Sequence, residues 1–256
     1  MNLSIQKTKL AAILPLRSEY LAAMNCQVRY DACHERNWSD SYLCQLDGKA
    51  IAYGSIKGLD ALKDRDTLFE FYVQPAFEKH KRSIFEALVK ASQAQFAECQ
   101  TNDPFLRPLV FEYAHEIESK VMLFAAGQET GWEEATFRFR ERSVGDILIG
   151  LNEQDPGRFV LAKGKEAVAM GGFLTHYNEP FADLYMEVRE DMRRQNLGTY
   201  LVQELKKACV AAGKTPAARC NISNEASRLT LEKAGMNICG YMLAGKLKRQ
   251  LKMLRN

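Results

Sequence analysis

Apolar and polar residues along the chain follow two periods, which predict a mixed α/β protein. Residues 42–54 (YLCQLDGKAIAYG) and 159–172 (FVLAKGKEAVAMGG) each read as two strands around a Gly-containing turn, which predicts a β-hairpin. Residues 69–77 (FEFYVQPAF) and 184–192 (LYMEVREDM) each read as a strand that runs into a polar break. An amphipathic helix follows each break, over SIFEALVKASQAQFA and LGTYLVQELKKACVAA.

A third pair of segments completes this internal repeat. Residues 118–127 (ESKVMLFAAG) and 225–235 (EASRLTLEKAG) are each predicted as a short helix that ends at Gly, the residue that best tolerates a left-handed cap. The pairs occur in the same order in both halves, which indicates duplication of one fold. We therefore predict an α/β protein of two domains, residues 1–135 and 136–256, each a mixed, mostly antiparallel sheet flanked by helices. The boundary lies on one or the other side of the strand-like TFRFRER (136–142).

Composition narrows the function classes without selecting one. The 256 residues carry a net charge of +3 and are 46% hydrophobic, which suits two modest domains and favours neither nucleic acid nor membrane as a partner. Seven scattered cysteines without a C-x-x-C pair, and four separated histidines, predict neither a metal site nor a disulfide framework. The early apolar run Leu10–Leu16 is short and is followed at once by Arg17, so we expect a cytoplasmic protein without a targeting segment.

The segment most informative about chemistry joins a predicted strand to a predicted helix. The strand Leu184–Val188 leads into a basic turn that contains Gly198, and the helix then begins. The first N–H groups of a helix have no intrahelical partner and carry partial positive charge, so such a turn can hold a phosphate. Gly198 allows close backbone approach, and Arg193 and Arg194 add positive charge. Neither a G-x-G-x-x-G nor a G-x-x-x-x-G-K-[ST] motif occurs.

This turn resembles the signature loop of the GNAT superfamily of N-acetyltransferases, Q/R-x-x-G-x-G/A. Gln195 and Gly198 match, whereas Tyr200 stands where the family has Gly or Ala. The preceding residues 188–193 (VREDMR) resemble the family's V-x-P-x-x-R, with Glu190 in place of Pro.

A second element of the same family follows about 25 residues later. Residues 224–236 (NEASRLTLEKAGM) resemble N-x-x-A-x-x-L-Y-x-K-x-G-F, with Asn224, Lys233 and Gly235 matching and Met236 in place of Phe. The resemblance covers roughly residues 136–245, and it implies direct transfer of an acetyl group from acetyl-CoA to an amine, without a metal. It also implies a cofactor-binding set, which comprises Met186, Val188, Arg193, Arg194, Gln195, Asn196, Leu197, Gly198, Thr199 and Asn224.

The transfer makes demands that only some residues can meet. The amine must lose a proton, the developing oxyanion needs a donor such as a backbone N–H near Val188, and the departing thiolate benefits from a proton donor. Many relatives use a Tyr of the second element, where this chain has Leu231. The catalytic candidates are therefore Tyr185 and Glu187 on the strand and Tyr241 on the terminal strand. Glu187 is the candidate base, acting directly or through water.

The N-terminal half lacks the features that would hold a phosphate. After Val73 it reads QPAFEKHKRS, which contains no Gly, so we predict a non-catalytic copy with a structural or substrate-shaping role. Its basic residues 79–82 leave binding of some other anion open. The basic tail 246–256 (KLKRQLKMLRN) is predicted as a frayed helix.

Three functions are distinguished on this evidence. The first is an acetyltransferase acting on a small molecule, an amino acid or a peptide N-terminus; the second is a non-enzymatic acyl-CoA sensor. The third, a nucleic-acid-binding protein, is disfavoured by the near-neutral charge balance. The acceptor is not specified by the sequence, and the oligomeric state, with a homodimer among the options, is left open.

Overall fold

The computed structural model describes residues 2–154, 157–176 and 178–248. Contacts divide the chain into two compact units, unit 1 (residues 1–120 and 241–256) and unit 2 (residues 121–240). The contact-defined division thus falls at residue 120 and again at residue 240, whereas the sequence suggested a single boundary after residue 135. Within the described residues, no helix combines the length and the apolar character that a membrane span requires.

Unit 1 is built around the first of the two repeats. Its strands and helices, in chain order, are β1 (Leu3–Thr8), α1 (Leu10–Ala23), α2 (Asp31–Glu35), β2 (Ser39–Leu46), β3 (Lys49–Lys57), β4 (Thr67–Val73), α3 (Lys81–Ser92), β5 (Phe96–Gln100), α4 (Arg107–Tyr113) and the first part of β6 (Ala114–Ala126). A short 3₁₀ helix, Pro75–His80, precedes α3. The last part of β12 (Met236–Leu247) completes this unit.

The sheet of unit 1 is mostly antiparallel, in the order β1-β2-β3-β4-β5-β12. Only β4 and β5 are parallel, and they pair at Thr67–Phe96 and Leu68–Ala97 before the register ends. Helices cover both faces of this sheet. Helix α1 packs on one face in a cluster that contains Ile13, Tyr53 and Tyr72, and α3 packs on the other in a cluster that contains Phe71 and Phe85.

Unit 2 repeats this order of strands. Its elements are the last part of β6, then β7 (Arg138–Glu141), β8 (Phe159–Lys163), β9 (Glu166–Leu174), β10 (Phe181–Val188), α5 (Leu197–Ala211), β11 (Thr215–Asn221), α6 (Glu225–Lys233) and the first part of β12. A 3₁₀ turn, Glu190–Met192, lies between β10 and α5. The sheet order is β7-β8-β9-β10-β11-β6, and only β10 and β11 are parallel.

The two faces of the unit 2 sheet are covered differently. Helix α5 lies on one face, where Leu205 Cδ1 is 3.0 Å from the position of a Cβ at Gly171. On the other face, Leu148 packs with a buried cluster that includes Leu151 and Met170. Leu148 and Leu151 belong to the β7–β8 connection (residues 142–158), whose described residues contain no helix. This face therefore has a coil where unit 1 has α1 and α2.

The fold class is confirmed, and one member of the third repeat pair is wrong. Residues 118–126 belong to strand β6 rather than to a helix, because Val121 to Ala125 pair antiparallel with Asn221 to Ala217 of β11. The helix of unit 1 that corresponds to α6 is α4, which directly precedes β6. The tail begins as strand at Lys246 and Leu247, so the predicted helix does not start there, and residues 249–256 lie outside the described part of the chain.

Candidate active site

The candidate site opens where two parallel strands of unit 2 part. Strands β10 and β11 pair at Phe181–Thr215, Ala182–Pro216 and Asp183–Ala217, and the register ends there. On its other edge, β10 stays paired with β9 as far as Val188. Among the described residues, the edge of β10 from Leu184 to Val188 that faces away from β9 thus has no strand partner, and its backbone groups face the gap.

A cleft of about 1080 Å³ occupies this gap. Its walls come from the end of β10, the turn that follows, the first turn of α5 and one side of α6. The lining residues are Met186, Glu187, Val188, Glu190, Met192, Arg193, Arg194, Asn196, Leu197, Gly198, Thr199, Asn224, Glu225, Ala226, Ser227, Leu229, Thr230 and Lys233.

The first turn of α5 points unpaired N–H groups toward the cleft. The first intrahelical hydrogen bond runs from Tyr200 N–H to Asn196 O, so the three preceding residues have no partner within the helix. Asn196, the N-cap, makes no side-chain capping bond. Arg194 and Asn196 have φ of 62° and 61°, left-handed values that turn the backbone tightly into the helix. This is an arrangement that favours an anion.

Gly198 lies where the cleft is narrow, and the absence of a side chain there leaves the space between β10 and α6 open. A Cβ built at this position would lie 3.2 Å from Thr230 Cγ2 on α6 and 3.4 Å from Val188 Cγ2 on β10. The missing side chain thus faces the space between strand and helix. Any larger residue here would grow into the cleft rather than into solvent.

Three arginines place positive charge near the cleft, and they differ in whether a carboxylate holds the side chain. Arg193 is exposed and donates from Nε to the backbone carbonyl of Val188 (3.3 Å). Arg194 is exposed beside it. Arg189, in contrast, is held by Glu166 and Asp191, each at 2.7 Å, and hydrogen bonds to these carboxylates raise its pKa. Arg189 therefore serves local structure, whereas Arg193 and Arg194 line the cleft beside the first turn of α5.

Helix α6 forms a wall of small and polar side chains. Asn224 caps this helix, since its Oδ1 accepts from the N–H of Ser227 at 3.0 Å. Ala226, Ser227 and Thr230 line the cleft, whereas Leu231 is only 5% exposed and packs inward. Leucine has no proton to donate, so this position supplies neither an acid nor a base.

Two buried polar residues of α5, Lys206 and Gln203, hold in place both α6 and the connection between β6 and β7. Lys206 donates from Nζ to the carbonyls of Gln128 (2.9 Å), Ala234 (2.8 Å) and Gly235 (3.2 Å). Burial lowers the pKa of Lys206. The hydrogen bonds from the Lys206 ammonium satisfy the carbonyls of Ala234 and Gly235, which follow the last residue of α6 and have no intrahelical partner.

Gln203 provides the second attachment. Its Oε1 accepts from the N–H of Trp132 (2.8 Å) and from Thr130 Oγ1 (2.7 Å), and its Nε2 donates to the Trp132 carbonyl (3.0 Å). The Trp132 indole in turn donates to the carbonyl of Lys233, the last residue of α6 (3.0 Å). The wall of the cleft is thus fixed by polar contacts that the sequence motifs do not include.

The sheet face opposite α5 carries the candidate base. Tyr185 and Glu187 alternate with Met186 and Val188 along β10, so they lie on the opposite face of the sheet. We call the surface formed by Tyr185 and Glu187 of β10 and by Gly172 and Leu174 of β9 the open face. Glu187 Oε2 accepts from the backbone N–H of Asn152, in the β7–β8 connection, at 2.9 Å.

The structure brings most of the expected binding residues to one cleft. Every residue of the predicted cofactor set lines it except Gln195, which is exposed. Glu187 also lines the cleft, and Tyr185 is two residues away on the same strand face. Tyr241 belongs to unit 1, where its carbonyl accepts from the N–H of Thr101 and its own N–H donates to Thr101 Oγ1, each at 2.9 Å. The roles of these residues stay predictions.

Several residues of the site carried no signal in the sequence motifs. Ser227 and Thr230 fell within the second element and could have been found from their helical spacing relative to Asn224. Gly172 and Asn152 could not, because their contacts cross from β10 to another strand or to a coil.

Comparison with known proteins identifies the family. A model of the acetyltransferase (GNAT) family matches residues 114–236, and a model of a GNAT acetyltransferase domain matches residues 9–127. A comparison with curated proteins gave no match.

Solved structures agree in fold over nearly the whole chain. A GNAT-family acetyltransferase from Colwellia psychrerythraea has a TM-score of 0.76 at 14% identity, covering 96% of this chain and 100% of that one. A tandem GNAT protein of the clavulanic acid biosynthesis pathway has a TM-score of 0.61 at 8% identity, covering 97% and 100%. A GCN5-related N-acetyltransferase from Sphaerobacter thermophilus has a TM-score of 0.58 at 14% identity, covering 98% of each. At these identities the likeness shows the fold alone, but the two matched models together span residues 9–236, and the chain belongs to the GNAT acetyltransferase family with two such domains in tandem.

Proposed function

We propose that the protein is an N-acyltransferase that moves an acetyl group from acetyl-CoA to a primary amine of a small molecule or peptide. The observation that carries this proposal is the cleft of unit 2, in which a free strand edge leads to an unpaired helix N-terminus across Gly198. Membership in a family of acetyltransferases supports the reaction class. The acceptor and the use of acetyl-CoA are part of the proposal.

The residues present fit the pyrophosphate and pantetheine of coenzyme A. The N–H groups of Leu197, Gly198 and Thr199 would receive the phosphates, with Arg193 and Arg194 adding charge. The unpaired edge of β10 offers backbone groups to an extended amide-containing chain, as a sheet edge does to a peptide. A side chain at position 198 would fill the space between these two partners, which explains why glycine suits this position.

The chemistry then assigns tasks to side chains of this chain. A neutral amine attacks the thioester carbonyl, so that a C–N bond forms and the C–S bond breaks; the nitrogen loses a proton and the sulfur leaves as a thiolate that gains one. Glu187 removes the proton from the amine, directly or through water. A backbone N–H near Val188 stabilises charge on the carbonyl oxygen. Tyr185 is the candidate for protonating the thiolate, since Tyr241 belongs to unit 1.

Unit 1 is proposed as the non-catalytic copy. Its helix α3 begins after Gln74-Pro75 without a glycine, and Lys81 and Arg82 there are engaged by Glu78 and Glu112. These ion pairs are exposed and weak, but they give the basic side chains carboxylate partners within the unit.

Titration calorimetry with acetyl-CoA, combined with thiol release across an amine panel, tests the function. We expect about one binding site per chain and release of thiol that depends on the amine. Glu187→Gln should lower kcat with little change in acetyl-CoA affinity, and Glu190→Gln, another cleft-lining carboxylate, is the matched control. Binding of acetyl-CoA without thiol release for any amine would instead favour an acyl-CoA sensor.

A further inference from the structure

The open face of unit 2 is closed at one end and accessible at the other. Near the end of β10, the β7–β8 connection reaches Glu187 through Asn152 N–H (2.9 Å). Gly150 of the same connection lies against Arg189, whose Cγ is 3.0 Å from the position of a Cβ at Gly150. Toward the start of the strand, Tyr185 and its diagonal neighbour Leu174 remain exposed. A molecule that places an atom at Glu187 therefore has room for its remainder on the Tyr185 side.

The accessible end presents apolar rather than charged surface. Tyr185 and Leu174 are each 38% exposed, which is high for an aromatic and an aliphatic side chain of a sheet face. Leu174 is paired with Asp183 across the β9–β10 ladder, and Gly172 with Tyr185, so both share the face of Glu187. Asp183 is 6% exposed, and Arg219 donates to its Oδ2 at 2.9 Å. Its charge is thus compensated, and Glu187 is the acidic group that borders this apolar surface.

Gly172 is explained by the ring of Tyr185. A Cβ at position 172 would lie 2.7 Å from Tyr185 Oη, 2.9 Å from Cζ and 3.1 Å from Cε1. Gly172 does not have the positive φ that commonly requires glycine, so its backbone would accept an L-residue. What the position does not accept is a side chain, because the outer end of the Tyr185 ring occupies that space.

We propose that Gly172 is a positioning residue that seats the Tyr185 ring across β9, and that this ring, with Leu174, binds the apolar body of the acceptor amine. The acceptor is then a primary amine on an aromatic or aliphatic substituent, with its nitrogen at Glu187. Residues two apart on a strand lie about 7 Å apart, so a short linker between amine and ring bridges Glu187 and Tyr185. This inference rests on the acyl transfer proposed above and specifies its substrate class.

Paired amines provide the test. Thiol release with acetyl-CoA is measured for 2-phenylethylamine and for ethanolamine, which shares the aminoethyl group but has no apolar body. For the unaltered protein we expect kcat/KM to favour 2-phenylethylamine by at least about tenfold. Tyr185→Ala should reduce this ratio toward one. Tyr185→Phe keeps the ring and should keep the ratio, even if loss of the hydroxyl lowers kcat for both amines.

Gly172→Ala tests the positioning role separately. It should raise KM for 2-phenylethylamine while leaving the thermal shift with acetyl-CoA unchanged, because neither Gly172 nor Tyr185 lines the cofactor cleft. Gly131→Ala is the matched control, since nothing lies within 4 Å of a Cβ there. If Gly172→Ala lowers the melting temperature, the double variant with Tyr185→Ala should restore it, because the ring that the new methyl meets is then gone.

The outcomes separate three failures. Turnover of amines with a ratio that Tyr185→Ala and Gly172→Ala leave unchanged would overturn the acceptor assignment alone. Binding of acetyl-CoA without turnover of any amine would overturn the proposed function and this inference together. A melting temperature of Gly172→Ala that the removal of Tyr185 does not restore would overturn the positioning role.

Discussion

Strands β4 and β10 occupy the same place in their units, yet their surroundings are opposite. Every residue of β4, from Thr67 to Val73, is buried, whereas the second half of β10, from Tyr185 to Val188, is partly exposed. Both strands pair briefly with a parallel neighbour and then part from it. The gap between β4 and β5 and the gap between β10 and β11 begin in the same way. The side chains that lie in each gap decide whether it has room for a ligand.

In unit 1 apolar side chains fill the gap. Leu106, Leu109 and Val110, at the start of α4 and within it, are at most 2% exposed and share one buried cluster with Phe71 and Val73 of β4. The corresponding helix of unit 2, α6, instead turns alanine, serine and threonine toward β10. A change from large apolar to small polar residues on one helix thus separates a packed core from a cleft.

The opposite faces of the two strands differ in the same sense. In unit 1 the carboxylate of Glu70 is fully buried and accepts hydrogen bonds from Arg17 (3.1 to 3.3 Å), from Tyr53 Oη (3.1 Å) and, through Oε2, contacts His34 Nε2 (3.0 Å). In unit 2 no helix among the described residues covers the equivalent face, and Tyr185 is accessible. In unit 1 both faces of β4 are therefore packed, whereas in unit 2 both faces of the second half of β10 are partly exposed.

The largest effect is expected from a substitution that blocks the cleft of unit 2. Gly198→Trp should abolish the thermal shift caused by acetyl-CoA, because the indole must occupy the space between Thr230 and Val188. The fold should largely persist, since the side chain extends into the cleft. Gly131→Trp, at an exposed glycine with open space around it, should keep the full shift. A Gly198→Trp protein with the unaltered acetyl-CoA shift would remove the main support for the proposed function.

The second prediction concerns a substitution that disrupts the buried charge cluster around Glu70 in unit 1. Glu70→Gln should destabilise the protein by about 3 to 5 kcal/mol, because it leaves the buried Arg17 without its full countercharge. Glu35→Gln, at an exposed position of the same unit, is the control and should have little effect. Urea denaturation measures the difference, and equal midpoints for both variants would contradict the assigned role of Glu70.

The same carboxylate predicts a pH dependence. Burial acts to raise the pKa of Glu70, but the charges and hydrogen bonds of Arg17 and His34 outweigh it, so the pKa lies below its ordinary value of 4.5. Because the folded pKa is the lower one, the contribution of Glu70 is complete above pH 4.5 and is lost as the pH falls through the folded value. The melting temperature of Glu70→Gln should therefore approach that of the unaltered protein as the pH drops below this value.

The comparison also shows where sequence patterns suffice. The hairpins around Gly48 and Gly164, and the helices α3 and α5, follow from periods of two and 3.6 residues, which are local properties. The turn before α5 follows from a local motif. The strand β6 was missed because Met122, Leu123 and Phe124 form a continuous apolar run, which either a strand or a helix can bury. Pairing with β11, a contact across nearly one hundred residues of chain, decides between them.

The surroundings of β4 and β10 were beyond such patterns. Both strands read alike as apolar runs, and their exposure depends on what α4 and α6 place beside them. The buried role of Glu70 depends on Arg17 and His34, which lie 53 and 36 residues away in sequence. No local period records such contacts, so the absence of glycine before α3 was the available sign that unit 1 differs.

A third, smaller effect concerns the wall of the cleft. Lys206→Met should cost about 2 kcal/mol of stability, because the carbonyls of Gln128, Ala234 and Gly235 lose a charged donor. Lys207→Met, the adjacent exposed residue paired with Glu204, is the matched control. Since α6 loses its anchor, acetyl-CoA affinity should fall together with stability. A destabilised Lys206→Met protein that binds acetyl-CoA normally would show that α6 holds its position without this lysine.

The smallest effect sharpens the comparison at the helix start, where unit 2 has arginines that line the cleft and unit 1 has basic residues paired with carboxylates. Arg194→Ala should weaken acetyl-CoA binding by about 1.5 kcal/mol, roughly tenfold, the lower end for a charge-assisted hydrogen bond, because Arg194 is exposed to water and salt. The left-handed backbone at this position is no more strained for alanine than for arginine, so the change reports the charge. Arg138→Ala, an exposed arginine on β7, is the control. Calorimetry at low and high salt measures both, and the difference between the variants should shrink as salt increases. A salt-independent loss would point to a change in loop shape instead, and no loss at all would leave Arg193 and the helix N-terminus as the anion site.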